Sequence, residues 1–109
     1  MRFTVWIAAA TLMLTAATGL ADEAPIDLVL KDHHFTPAEI HVKANVPSQI
    51  RLTNEDTSAE EFDSSALHVE KVVPGGQNGI IRLRPLAPGR YDFMGEYHSD
   101  TAKGVVIAE

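Results

Sequence analysis

Hydrophobic and polar residues alternate in short segments along most of the chain. Successive side chains of a strand point to opposite faces, so this alternation indicates strands with one buried face. Gly, Pro, Asn or Asp bounds each segment, and no long window has a helical period, although residues 58–62 are compatible with one short helical turn. The alternating segments are 26–30, 39–43, 49–53, 67–73, 81–84, 91–93 and 105–107. The pattern predicts one all-β domain, a Greek-key β-sandwich covering residues 22–109.

The first 21 residues have the pattern of a signal peptide. Arg2 gives a positive start, residues 7–20 are apolar and uncharged, and residues 19–21 are suitable for cleavage by signal peptidase. The apolar run is too short to favour the alternative, an uncleaved membrane anchor. No cysteine follows it, so a lipoprotein is excluded. We therefore expect export across the inner membrane and a periplasmic location.

Charge and cysteine content narrow the possible functions. The net charge is −6, and it becomes −7 when Arg2 is removed with the signal peptide. An acidic surface argues against nucleic acid and anionic lipid, and favours cations or basic partners. The chain has 0 cysteines, which excludes disulfides, thiol catalysis and any metal–thiolate bond. The sequence also has neither a nucleophile elbow nor a phosphate-binding loop, so hydrolase activity is not expected.

Four clusters of carboxylates and histidines are candidate metal ligands. Such donors without a thiolate suit iron, copper(II), manganese or zinc. The clusters are Asp32–His33–His34, Glu60–Glu61–Phe62–Asp63, His68 with Glu70, and Met94, Glu96, His98 and Asp100.

Each cluster also has a structural explanation. The adjacent glutamates at 60 and 61 are equally compatible with a solvated face. His41 and His68 are expected on outward faces of strands, and only one of the histidines at 33 and 34 can join a given site if that segment is extended. Glu96 and His98, two residues apart, form the best local pair.

From residue 28 to the C-terminus the chain resembles a cupredoxin-like domain. The resemblance is carried by 35–40 (FTPAEI), 52–56 (LTNED), 59–62 (AEEF), 70–75 (EKVVPG), 86–91 (LAPGRY) and 93–98 (FMGEYH). The subgroup it resembles most is the cupredoxin-like proteins of bacterial ferrous-iron uptake systems, of the FtrB type, together with the related cupredoxin domain of EfeO-type proteins.

The resemblance implies a site with an altered ligand set. The positions of the blue-copper ligands correspond to Glu61 for one histidine, Gly95 for the cysteine, His98 for the second histidine and a residue near Ala102 for the methionine. A type 1 copper centre is therefore not expected. The implied site consists of Glu61, Glu96 and His98. Its further ligands would come from His34, Glu60, Met94 and Asp100.

The function implied by the resemblance is metal binding in periplasmic ferrous-iron uptake. The expected metals are copper and/or iron, and the expected partners are a periplasmic iron-binding protein and an inner-membrane permease. Whether the protein assists Fe(II) oxidation as a ferroxidase component stays open. Two alternatives are a copper chaperone without a redox role and a metal-free docking partner of a permease. A single methionine after residue 21, Met94, argues against a methionine-rich copper carrier.

Overall fold

A computed structural model describes residues 2–5 and 24–109. The predicted signal peptide, apart from residues 2–5, lies outside the described residues. The described domain contains nine β-strands and one short 3-10 helix. These elements are β1 Ile26–Lys31, β2 His34–Thr36, β3 Glu39–Val42, β4 Ser48–Asn54, β5 Glu60–Ser64, β6 Val69–Val73, β7 Asn78–Leu83, β8 Gly89–Gly95, the 3-10 helix Glu96–His98, and β9 Lys103–Ala108.

The strands form two sheets that pack face to face, which confirms the predicted all-β sandwich. One sheet has the order β2-β1-β4-β7 and the other β3-β9-β8-β5-β6. Strands β1 and β4 run parallel, as do β3 and β9, and the other pairs are antiparallel. Within the two described ranges, no helix has the length and apolar character needed to cross a membrane.

The core lies between the inner faces of the two sheets and follows the alternation in the sequence. Three phenylalanines form its centre: Phe62 and Phe93 stack at 4.7 Å between ring centroids, and Phe35 meets both edge-on. The aliphatic core residues include Leu28, Leu30, Ile40, Ile50, Leu52, Val73, Ile81 and Val106. Packing of these apolar side chains holds the domain, in agreement with the absence of cysteine.

Residues 60–64 form a strand, so residues 58–62 do not form the short helical turn with which their sequence is compatible. Phe62 is the one large apolar residue of β5, and the residues on its face at 60 and 64 are polar. A strand whose inward positions are two-thirds polar does not show hydrophobic alternation. Strand β2 was also missed because it has three residues. His68 lies in a turn with φ of 57° rather than on a strand.

One end of the sandwich brings together three connections. These are the turn between β1 and β2, the loop between β4 and β5, and the 3-10 helix that follows β8. Buried Asn54 organises the second of them, because its side chain donates to the carbonyls of Ser58 and Val73 and accepts from the N–H of Asp56. The candidate ligands Glu60 and His98 lie at this end.

Candidate metal centre

Glu60 is a fully buried carboxylate at the start of β5. It points inward because it shares the face of Phe62 in the alternating strand. Its Oε1 accepts the backbone N–H of Tyr97 at 2.8 Å and that of Glu61 at 3.1 Å. A buried carboxylate is costly unless its oxygens are paired, and these two N–H groups pair one of them.

The other oxygen of Glu60 faces His98. Glu60 Oε2 lies 2.5 Å from His98 Nδ1, and the His98 side chain is 25% exposed. The 3-10 helix holds this geometry, because it places the N–H of Tyr97 on one carboxylate oxygen and the ring of His98 on the other. Backbone bonds from Thr101 and Ala102 to the carbonyl of His98 close the segment. The result is a carboxylate–imidazole pair with one solvent-facing edge.

His33 extends this pair toward the β1–β2 turn. Its ring stacks on that of His98 with 3.5 Å between centroids and 14° between planes. The His33 Nε2 also lies 3.9 Å from Asp56 Oδ2. Two imidazoles and two carboxylates thus meet at one end of the sandwich, contributed by the β1–β2 turn, the β4–β5 loop, the start of β5 and the 3-10 helix.

Asp56 fixes the position of His33 through the backbone. Its oxygens accept the N–H of Asp32 at 2.7 Å and the N–H of His33 at 3.0 Å. Burial alone would raise the pKa of Asp56. The two N–H groups and the nearby rings of His33 and His98 outweigh it and lower that pKa below the usual 3.8. Asp56 therefore stays ionised and adds negative charge next to the stacked histidines.

A type 1 copper site does not fit this end of the molecule. A Cβ added at Gly95 would lie 2.6 Å from Glu60 Cδ and 2.8 Å from Ala102 Cβ. The carboxyl group of Glu60 therefore occupies the space that a cysteine side chain would need. Ala102 is fully buried and carries no donor. The chain has 0 cysteines, so the soft thiolate of a blue-copper centre is absent as well.

Glu61 and Glu96, two of the predicted ligands, lie away from this pair. Glu61 alternates with Glu60 and so points to the outer face of the sheet, where its carboxylate is within 4.8 Å of those of Asp63 and Glu70. Glu96 joins the same group, because its hydrogen bond with Asp63, and then the charges of Asp63 and its neighbours, raise its pKa. The residue that faces His98 is Glu60, one position before the expected Glu61.

The remaining candidates are dispersed. The Nδ1 of His34 lies 2.7 Å from the carbonyl of Asp32 and is exposed, so His33 and not His34 meets His98. Met94 is 39% exposed on the outer face of β8. Asp100 is exposed in the turn after the 3-10 helix. His41 is an exposed strand histidine between Glu39 and Glu109.

Two members of the group are absent from the site predicted from the sequence: His33 belonged to a candidate cluster but His34 was preferred, and Asp56 was not considered as a ligand. Asp32 and His33 have φ of 50° and 61°, and this turn brings the ring of His33 back over the end of the sandwich. The alternation of a strand predicts side-chain direction only for extended backbone, so it could not indicate where the ring of His33 points. The inward position of Glu60 could have been found, since it is two residues from Phe62 and therefore shares its face.

Carboxylates and imidazoles at this spacing can bind a metal ion of hard or intermediate character. The donor set suits copper(II), iron, zinc and manganese. Glu60 and His98 are already aligned by backbone hydrogen bonds, which reduces the reorganisation that binding requires.

A family model described as the cupredoxin-like domain matches residues 3–108. An uncharacterized protein of Rickettsia prowazekii strain Madrid E is 38% identical over 82 residues. The matched segment spans 75% of this chain and 66%, just under two thirds, of that relative.

Solved structures of copper proteins share the fold at low sequence identity. The Cu(I)-bound metal-binding domain of the Cu(I)-exporting ATPase CopA from Streptococcus pneumoniae has a TM-score of 0.67 at 17% identity, covering 78% of this chain and 84% of that one. The blue copper protein auracyanin A from Chloroflexus aurantiacus has a TM-score of 0.67 at 12% identity, with coverage of 79% and 98%. Amicyanin from Paracoccus versutus gives 0.61 at 15% identity, with coverage of 83% and 88%.

Proposed function

Because this chain belongs to the cupredoxin-like domain family, we propose that it is a metal-binding protein whose site differs from a blue-copper centre. In the proposed site Glu60 and His98 hold the metal ion, and His33 and Asp56 lie beside it. The observation that carries this proposal is the buried carboxylate of Glu60 directed at the Nδ1 of His98.

The chemistry of the pair supports this role. The Nδ1 of His98 and the Oε2 of Glu60 lie 2.5 Å apart, within hydrogen-bond distance. A metal ion can replace the proton of this hydrogen bond once the two atoms move apart to coordination distance. Anionic oxygen donors favour ions of higher charge, so the pair favours copper(II) over copper(I) and iron(III) over iron(II). Asp56 adds a second negative charge close to the rings. A bound ion would supply positive charge that both carboxylates stabilise.

The biological context that we propose is periplasmic ferrous-iron uptake. It is supported by the resemblance of residues 28–109 to the proteins of such systems and by the export pattern of residues 1–21. Iron would then be cargo, bound and passed to a periplasmic iron-binding protein and an inner-membrane permease. The role that we propose for the site is binding and delivery of the ion, and assistance to Fe(II) oxidation stays a prediction.

Calorimetric titration of the protein with Cu(II) and with Fe(III)-citrate tests this function. Glu60→Gln and His98→Ala should each lower the affinity at least about tenfold, because each removes a donor. Glu61→Gln is the matched control: it changes the neighbouring glutamate in the same way, but on the outer face. It should leave the affinity within about twofold.

Two results would contradict the proposal. One is wild-type protein that binds neither ion; the other is a loss of binding in Glu61→Gln equal to that in Glu60→Gln. Circular dichroism and a urea titration of each variant establish that it is folded before its affinity is compared.

A further inference from the structure

On the outer face of the five-stranded sheet, strands β5, β6 and β8 present carboxylates together with exposed apolar side chains. In the strand register, Glu61 lies opposite Val72, and Asp63 lies opposite both Glu70 and Met94. The 3-10 helix borders these strands and adds two side chains. We call this surface the acidic face, and its members are Glu61, Asp63, Glu70, Val72, Met94, Glu96 and Tyr97.

All the large apolar side chains that residues 24–109 expose are on the acidic face. They are Val72, Met94 and Tyr97, which are 47%, 39% and 52% exposed. A single exposed apolar side chain is ordinary and needs no explanation. Three of them from three different elements, gathered on one face while the other sheet exposes none, are typical of a protein-binding surface.

The carboxylates around these side chains repel one another. Oxygen atoms of Glu61, Asp63 and Glu70 lie within 4.8 Å of one another. Glu96 forms a hydrogen bond with Asp63 and lies near Glu61 and Glu70. The Tyr97 hydroxyl forms a hydrogen bond with Glu61, so this ring lies beside the same group. Positive charge from outside would relieve this repulsion.

We propose that the acidic face docks a partner protein whose surface carries lysine or arginine side chains around an apolar centre. The carboxylates would meet the basic side chains, and Val72, Met94 and Tyr97 would meet the apolar ones. On the β9 side the acidic face is bounded by Lys103, which lies opposite Met94. A second copy of the chain is disfavoured as the occupant, because each copy has a net charge of −6 and would present the same negative face.

The acidic face and the Glu60–His98 pair share their supporting elements. Glu60 and Glu61 are consecutive residues on opposite faces of β5, and the 3-10 helix carries both His98 and the border of the acidic face. A docked partner would therefore lie next to the pair. Docking itself does not rest on metal binding, and either proposal can fail while the other stands.

Titration of the 15N-labelled protein with two capped peptides tests the docking proposal. One peptide is Lys-Lys-Leu-Leu-Lys-Lys, and the other has serine in place of leucine. The leucine peptide should shift the amide signals of residues 61–63, 70–72 and 94–97, and should bind more tightly than the serine peptide. Its affinity should fall as NaCl is raised from about 20 to about 200 mM, because salt screens exposed charges.

Variants distinguish binding at the acidic face from a general attraction of the peptide to the negative charge of the protein. Asp63→Asn and Met94→Ser should each weaken binding of the leucine peptide about two- to fivefold. Asp27→Asn removes the same charge from β1, where Asp27 pairs with Arg51 on the other sheet, and should leave binding unchanged.

Four results of the peptide and sedimentation experiments would overturn the proposal. They are no binding, shifts spread evenly over the surface, equal weakening by Asp27→Asn and Asp63→Asn, and a dimer in sedimentation that Met94→Ser dissolves. A tight Mg²⁺ or Zn²⁺ site on the acidic face, found without peptide binding, would also overturn it and assign the face to a cation.

Discussion

Glu60 is the residue at which this chain departs most clearly from a blue-copper domain. Its side chain occupies the inner face of β5, where it reaches the space between Gly95, Ala102 and His98. Small residues at 95 and 102 leave room for the carboxyl group, and the N–H of Tyr97 satisfies one of its oxygens. The absence of a side chain at position 95 and the buried carboxylate at position 60 are therefore parts of one packing arrangement.

A methyl group at position 95 should disturb this arrangement. Gly95→Ala places a Cβ 2.6 Å from Glu60 Cδ and should lower the free energy of unfolding by about 1–3 kcal/mol, as overpacking usually does. Gly89→Ala is the control, because its Cβ would meet no atom closer than 3.7 Å, and it should change stability by less than about 0.5 kcal/mol. Urea denaturation measures both. Equal stability of the two variants would show that the carboxyl group of Glu60 does not fill this space.

At the scale of elements, the site depends on two connections that belong to different strand pairs. The loop after β4 supplies Asp56, and the turn between β1 and β2 supplies His33. Asp56 joins them by accepting two backbone N–H groups of the turn. The stacking of His33 on His98 is thus set by a carboxylate more than 20 positions away in the chain.

The ionised carboxylate of Asp56 should stabilise the folded protein at pH values above its native pKa and should make no such contribution at pH values below it. Its pKa is lower in the folded protein than the usual 3.8, so its ionised form favours folding at higher pH, and this contribution is lost as the pH falls through the native value. Asp56→Asn should lower the free energy of unfolding by about 1–2 kcal/mol near neutral pH. The difference from wild type should shrink below pH 3.8. Urea titrations between about pH 2 and 7 measure it. A difference independent of pH would contradict the role assigned to the charge.

For the molecule as a whole, alternation predicted the sandwich because most strands have one apolar face. It failed at β5, since the inward residues Glu60 and Ser64 are satisfied by specific partners rather than by apolar packing. Glu60 bonds to the 3-10 helix, and Ser64 donates to the carbonyl of Asp92. Buried polar side chains of this kind are visible only when their partners are known.

The structure brings together two of the residues predicted for the site, Glu60 and His98, and their role as metal ligands stays a prediction. His98 was placed correctly at the loop end, next to a glutamate of the 59–62 segment. A displacement of one residue along a strand moves a side chain to the opposite face, so the choice between Glu60 and Glu61 decides whether the carboxylate is buried or on the acidic face. His33 entered the site through a turn with positive φ, which the alternation did not indicate.

Anomalous diffraction from crystals soaked in Cu(II), with data collected on both sides of the copper edge, tests the central proposal most directly. We predict a copper peak bonded to Glu60 and His98, next to His33, and no intense blue colour in the crystal. A peak at the carboxylates of Glu61, Asp63 and Glu70, with the bond between Glu60 and His98 intact, would contradict the proposed metal centre.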